Sequence, residues 1–259
     1  MDESLVSIIT PAWNSYPLII DTIQSVLNQT YQNWELLIQD DCSSDDTKEY
    51  VCALAAHDSR IKYECNKTNS GAAVTRNNAL RRAKGRYVAF LDSDDLWYPT
   101  KLEKQVLFMA ENGYAFSYTN YIEINEKGNP IGKMVTGPHK ISKNKMFAYC
   151  WPGCLTVMYD ASVIGQVQIG DIKKNNDYAL WLKVCKIASC FLLDECLAKY
   201  RKGRVGSIST QSWMTLLSWH YKLFREEEGM SWFSASFHTG LNVINGLYKK
   251  AVYVKKYRL

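Results

Sequence analysis

The feature that most restricts how this chain can fold lies in its first 95 residues, where four short apolar stretches alternate with helix-length segments. Residues 4–11, Ser-Leu-Val-Ser-Ile-Ile-Thr-Pro, read as a buried strand stopped by Pro11. From Ser15, an expected N-cap, Ile19, Ile23, Val26 and Leu27 recur at helical spacing as far as Gln29. A second strand, 34–38, ends in Asp40-Asp41, and Ser43-Ser44-Asp45-Asp46 then places carboxylates at the positive end of another helix. Residues 61–64 alternate as a third strand, and 72–84 read as a helix closed by Gly85. The fourth strand, Tyr87-Val88-Ala89-Phe90-Leu91, runs straight into Asp92-Ser93-Asp94-Asp95. Near-continuous apolar strands separated by helices predict an α/β fold, with a mainly parallel sheet covered on both faces. Ligands of such sheets bind at the carboxyl ends of the strands, where both acidic clusters fall.

After residue 100 the pattern loosens. A helix is expected over 100–112, a strand near 114–123, a mobile Gly/Pro/Lys-rich loop over 126–145 and a strand at 154–159. A helix over 177–187 carries Leu180, Val184 and Ile187 on one side, and a basic loop follows at 201–207. With 259 residues the chain suits one large domain with an appended segment, and it needs no disulfide or metal to bury a core. Its eight cysteines form no CxxC pair, no signal sequence opens the chain, and no apolar run is long enough to span a bilayer. Reduced thiols in a cytoplasmic protein are expected.

Charge is unevenly spread. Residues 1–100 carry 9 Lys/Arg against 14 Asp/Glu, whereas 101–259 carry 22 against 12. An acidic half joined to a basic half argues against a uniform nucleic-acid-binding surface and fits a cation-binding rim beside a basic face. Asp92 and Asp94, two residues apart at a strand end, can converge while Ser93 points away. Paired carboxylates with water suit Mg²⁺ or Mn²⁺, and an acidic helix cap would account for Asp95 but not for all three. For Asp40-Asp41, a turn-and-cap role and a ribose- or base-binding role are both open. Neither GxxxxGK[ST], GxGxxG nor GxSxG occurs, which disfavours P-loop NTPases, NAD enzymes and acyl-transfer hydrolases. A diphosphate would therefore have to be met by a metal and by Arg76, Arg201 or Arg204.

Several ordered motifs resemble family 2 glycosyltransferases. They are Thr10-Pro11-Ala12-Trp13-Asn14, residues 25–31, Trp34 to Ser43, Asn69-Ser70-Gly71, Thr75-Arg76-Asn77, Gly85 to Asp95, and Asn176-Asp177-Tyr178-Ala179-Leu180-Trp181-Leu182. The match is dense over 5–108, sparse over 150–205 and absent after about 210. The resemblance implies a GT-A fold, a UDP-sugar donor and an inverting single displacement. By the same resemblance the nucleotide-sugar site would comprise Pro11, Trp13, Asn14, Asp41, Arg76, Asp92 and Ser93. Trp13 would stack on the base and Asp41 would bond uracil. Asp94, with Asp92, would hold Mn²⁺ or Mg²⁺, and Asp177 would be the general base. Here the family's usual acidic residue before that aspartate is Asn176, which leaves one candidate base; without the resemblance Asp177 reads as a helix cap. Trp181 is open between lining the acceptor pocket and packing in the core, and Arg201 and Arg204 between a diphosphate-closing loop and a solvated one.

The implied chemistry is sugar transfer to a polyprenyl-diphosphate-linked saccharide in bacterial O-antigen or capsule synthesis. The expected division is a GT-A domain over 1–208 and a basic, aromatic helical extension over 209–259. From 237 onward apolar residues recur at helical spacing beside Lys249, Lys250, Lys255, Lys256 and Arg258. This pattern fits either a helix docked on the inner leaflet of the membrane or one packed on the domain. The rival functions are a sugar nucleotidyltransferase and a non-catalytic protein that binds nucleotide sugars or nucleic acid.

Overall fold

The computed structural model describes residues 3–170, 172, 174–203 and 213–257. In chain order, β1 (Val6–Ala12), α1 (Leu18–Leu27), β2 (Trp34–Asp40), α2 (Thr47–Ala55), β3 (Ile61–Cys65), α3 (Ala72–Arg82) and β4 (Tyr87–Phe90) form the expected alternation. Then come β5 (Leu96–Trp97), α4 (Lys101–Asn112), β6 (Phe116–Ile124), β7 (Pro130–Val135), β8 (Lys140–Ile141) and α5 (Lys143–Ala148). The chain continues through β9 (Met158–Asp160), α6 (Ala161–Ile164), α7 (Asn176–Cys185) and β10 (Cys190–Arg201). It closes with α8 (Trp213–Lys222), a π-helical turn at Leu223–Glu227, α9 (Trp232–Val252) and β11 (Val254–Lys256).

One sheet runs in the order β11-β7-β6-β9-β4-β1-β2-β3. Its β4-β1-β2-β3 portion is parallel, because each crossover helix returns the chain to the end of the sheet at which the preceding strand began. Beyond β4 it is mixed, with β9 antiparallel to both β4 and β6, while β10 pairs parallel with β6. Both faces are covered. Val6, Ile8, Leu36 and Ile38 enter one apolar layer with Ile19, Ile23, Leu102 and Val106. Ile9, Leu37, Val88 and Phe90 enter the other with Leu80, Tyr178 and Trp181. Adjacent strand residues thus serve opposite layers, and each buried Ile or Leu contributes about 1.5–3 kcal/mol. All eight cysteines are unbridged.

Several local expectations are corrected. The segment 126–145 is not a loop: it supplies β7, β8 and the first turn of α5, because β6 and β11 satisfy both edges of β7. The stretch at 154–159 is a 3-10 turn, Cys154–Thr156, leading into β9, and α7 ends at Cys185 with Ile187 exposed. The terminal helix starts at Trp232, five residues earlier than its apolar spacing suggested, where the Ser231 hydroxyl accepts from the Ser234 amide. Ser15 does not cap α1; its hydroxyl meets that of Ser93 at 2.7 Å.

Gly85 does not close α3, which ends at Arg82. The glycine instead lets the chain pass against β1, its amide donating to Ser7 Oγ at 2.8 Å. A Cβ there would lie 2.5 Å from the Ser7 nitrogen and 2.6 Å from the Leu5 carbonyl oxygen. Backbone cannot yield as a flexible side chain can, so Gly85→Ala is expected to destabilise the protein by about 3 kcal/mol. Urea unfolding would register this as a lower midpoint at unchanged slope; an unshifted midpoint would show that the close approach is dispensable.

Candidate active site

Strands β1, β2 and β4 are parallel, so their carboxyl ends open on one rim. The ladder carries past β2 and β4, with Asp41 donating its amide to the Ala12 carbonyl and Leu91 to that of Ile9. Asp40-Asp41 and Asp92 to Asp95 therefore leave the same edge on either side of β1. The Ser15–Ser93 hydroxyl pair ties the turn after β1 to the acidic turn, and Ser93 is buried. Pro11 lies within β1, while Trp13, just beyond it, is 55% exposed. Asn14 adopts a left-handed conformation (φ 45°), and its side chain accepts from the Ser44 amide.

The two residues of the Asp40-Asp41 pair have different tasks. Asp40 accepts from the Ser43 amide and hydroxyl and from the Tyr63 hydroxyl, which is the turn-and-cap role. Asp41 reaches across to the start of α3. Its carboxylate accepts from the amides of Ser70 (2.7 Å) and Gly71 (2.8 Å) and from Asn66 Nδ2 (2.8 Å). It thereby satisfies amides at the positive end of α3, where no side chain of that helix caps it. Asn66 was missed by sequence reasoning. It also donates to Thr75 Oγ1 and accepts from Gln39 and Asn78, so it knits the loop to α3.

Anchored in this way, α3 carries Arg76 into the site. Although 5% exposed, Arg76 donates to Asp92 Oδ1 at 2.7 Å and, through its other terminal nitrogen, to Asn176 Oδ1. Burial alone would weaken the guanidinium's charge, but the carboxylates of Asp92 and Asp177 raise its pKa. One cation thus joins the acidic turn after β4 to the first residue of α7. The residue in the place of the family's additional acid, Asn176, serves as a neutral acceptor for that cation.

Asp177 lies in the first turn of α7, and its Oδ1 accepts from the Tyr178 amide at 2.8 Å. Burial raises its carboxyl pKa, with Arg76 and the Tyr178 amide opposing and Asp92 adding to the rise. Trp181 is wholly buried, edge-on to Phe90 with ring centroids 4.9 Å apart, so it packs in the core and cannot line an acceptor pocket. Arg201 is the end of β10 rather than part of a loop. Buried, it donates from Nε to the Asp94 carbonyl at 2.7 Å and from its amide to Asp95 Oδ1 at 2.8 Å. It holds the acidic turn in shape. Arg204 lies outside the described residues.

The donor set of the acidic turn fits a hard divalent cation. Asp95 is buried, its Oδ2 has no hydrogen-bond partner, and burial with the charges of Asp94 and Asp92 pushes its carboxyl well above the usual range. Asp92, Asp94, Asp95 and Asp177 together raise the hydroxyl of Tyr200, which burial already raises. Negative charge is thus concentrated where a cation would relieve it. Among the described residues no group of three or more His, Cys, Asp or Glu is arranged to hold a metal. Asp92 and Asp94 are the two carboxylates of the turn that would hold such a cation, and Asp92 Oδ1 also accepts from Arg76.

Residues 7–161 match the family model "Glycosyl transferase family 2". Over 186 residues the chain is 47% identical to the UDP-Glc:alpha-D-GlcNAc-diphosphoundecaprenol beta-1,3-glucosyltransferase WfgD of Escherichia coli, covering 72% of each chain. A second Escherichia coli protein of the same description, WfaP, is 39% identical over 213 residues, covering 82% of this chain and 83% of that one. The fold matches that of S. aureus TarS 1–349, solved in complex with UDP-GlcNAc. The TM-score is 0.71 at 19% identity, over 93% of this chain and 74% of that one.

Proposed function

The chain belongs to glycosyl transferase family 2 and is a glycosyltransferase, and on that premise we propose that it moves a hexose from a UDP-sugar to a hydroxyl of a polyprenyl-diphosphate-linked glycan, with inversion to a β-glycoside. Glucose is the first donor sugar to test, since WfgD and WfaP are both named for UDP-Glc and for an α-GlcNAc diphosphoundecaprenol acceptor. The pathway would be synthesis of a bacterial surface polysaccharide. In this reading residues 1–208 form the catalytic unit and 209–259 its extension.

One observation carries the proposal: buried Arg76 grips Asp92 on the nucleotide rim and Asn176 beside the candidate base, so donor and base are held on one anchor. The exposed face of Trp13 suits stacking on uracil, with Pro11 and Asn14 beside it. Asp41 keeps the loop 66–71 at the edge of that pocket, and Ser93 fixes the acidic turn against β1. Asp92 and Asp94 would hold Mg²⁺ or Mn²⁺, whose chemistry is to offset the charge that builds on the departing UDP.

Asp177 takes the proton from the acceptor hydroxyl as that oxygen bonds to the anomeric carbon. The bond from that carbon to the diphosphate breaks on the opposite face, and UDP leaves with the electron pair. A charged Arg76 keeps Asp177 available as a base despite its burial. A panel of UDP-sugars with and without Mn²⁺ tests donor and cation together through stabilisation against heat. UDP-glucose with Mn²⁺ is expected to raise the melting temperature most, because ligand that binds only the folded state stabilises it. No shift with any UDP-sugar would overturn the donor assignment.

A further inference from the structure

Helix α9 has two unlike faces. On one, Ala235 is fully buried, His238 faces the Phe147 carbonyl, Asn242 donates to the Tyr178 hydroxyl and Lys249 to the Trp151 carbonyl. On the other, Phe233, Phe237, Ile244, Leu247 and Tyr248 follow one another at helical spacing and are 50–68% exposed. An apolar stripe of this kind, interrupted only at Gly240, exceeds the scattered exposed side chains of an ordinary surface. The helix contains no Asp or Glu, and exposed Lys250, Lys255 and Lys256 follow the stripe at its carboxyl end.

We propose that this outward face of α9 is the surface on which the enzyme lies against an anionic lipid bilayer. The partner's chemistry follows from the pairing of bulky apolar and aromatic side chains with lysines and no acids, which suits acyl chains below anionic headgroups. At 21 residues α9 is about 32 Å long. Among the described residues no helix is long and apolar enough to cross a membrane, so α9 would lie in the interface plane. A second copy of this chain would cover the stripe but leave the lysines facing no acidic partner of α9. The inference deepens the proposed function, since a lipid-linked acceptor is offered from a bilayer. The Asn242–Tyr178 contact roots the docking face beside Asp177.

The docking element is thereby separated from the basic terminus as such. Val254–Lys256 pair with β7 as a sheet edge, so deleting 248–259 would remove a strand together with any lipid contact. Point substitutions avoid that. The full chain is sedimented with vesicles of phosphatidylcholine alone and with one-third phosphatidylglycerol, beside the double variant Phe237→Glu/Ile244→Glu. Val163→Glu, which alters an exposed apolar residue of α6, is the control. Wild type and control should sediment with the anionic vesicles, and the double variant should partition at least ~10-fold less at unchanged melting temperature. Lys255→Gln/Lys256→Gln should weaken partitioning a few-fold and flatten its dependence on salt.

Equal partitioning of the double variant and wild type would overturn the proposal, as would a wild type that stays in solution. So would a dimer, seen by light scattering without lipid, that the double variant dissociates. UDP uptake by the same samples in the absence of lipid separates the two readings: its loss in wild type counts against the donor assignment, not against the docking face.

Discussion

Asparagine in place of Asp177 should end sugar transfer, lowering kcat by roughly 10³-fold while leaving UDP affinity nearly unchanged. The amide matches the carboxylate in size and can still accept from the Tyr178 amide, so the start of α7 should keep its shape. Arg76 retains both of its acceptors, Asp92 and Asn176, so the nucleotide rim should stay assembled. What asparagine cannot do is receive the acceptor's proton. With Asn176 already neutral, no neighbouring carboxylate on α7 can take over.

The pH dependence follows with its sign. Burial raises the Asp177 carboxyl pKa above its ordinary value, and the base works only when deprotonated. The rate should therefore fall with falling pH through an acid limb lying above the range of a solvent-exposed aspartate, and the residual rate of the variant should lack that limb. UDP release measured across pH, with UDP titrated by calorimetry, checks both statements. Turnover retained in Asp177→Asn would remove the residue from the role.

The second large effect concerns the acidic turn. Asp94→Asn should weaken Mn²⁺-assisted UDP binding by about 100-fold, since even loss of a residue that merely supports a metal ligand costs 10–100-fold. Asp95→Asn should retain most of that binding. Its carboxyl is buried, accepts the Arg201 amide and is already pushed towards the neutral form, so a neutral amide of the same shape suits its place. Calorimetry of UDP with and without Mn²⁺ distinguishes the two. Equal losses would mean that the turn acts as a structural unit rather than through Asp94.

Much of this site was legible because its parts are local. Asp92 and Asp94 are two residues apart at the end of an apolar strand, and parallel topology alone places them on the rim shared with Asp41. The roles of Arg76, Arg201 and Trp181 were not legible in that way. Arg76 meets Asn176 across 100 positions, and Arg201 meets Asp94 across 107. A basic segment with glycines looked like a closing loop, but β6 pairs with the chain as far as Arg201 and makes the segment's first residue the end of a strand. The same holds for β10, whose apolar alternation is interrupted by register shifts around Cys196, and for β7, whose glycine and lysine content concealed a strand lying between β6 and β11.

By itself the sequence determined the alternating strands and helices, the two apolar layers and the rim on which the acidic turns emerge. Hydrophobic period and strand-end chemistry act over a few residues, and that short range makes them readable along the chain. Only the tertiary structure decided which buried arginine joins Asp92 to Asn176, which tryptophan is core, and which side of the terminal helix is left uncovered. Those outcomes depend on contacts between segments far apart in sequence, where burial and charge pairing are settled by what packs opposite.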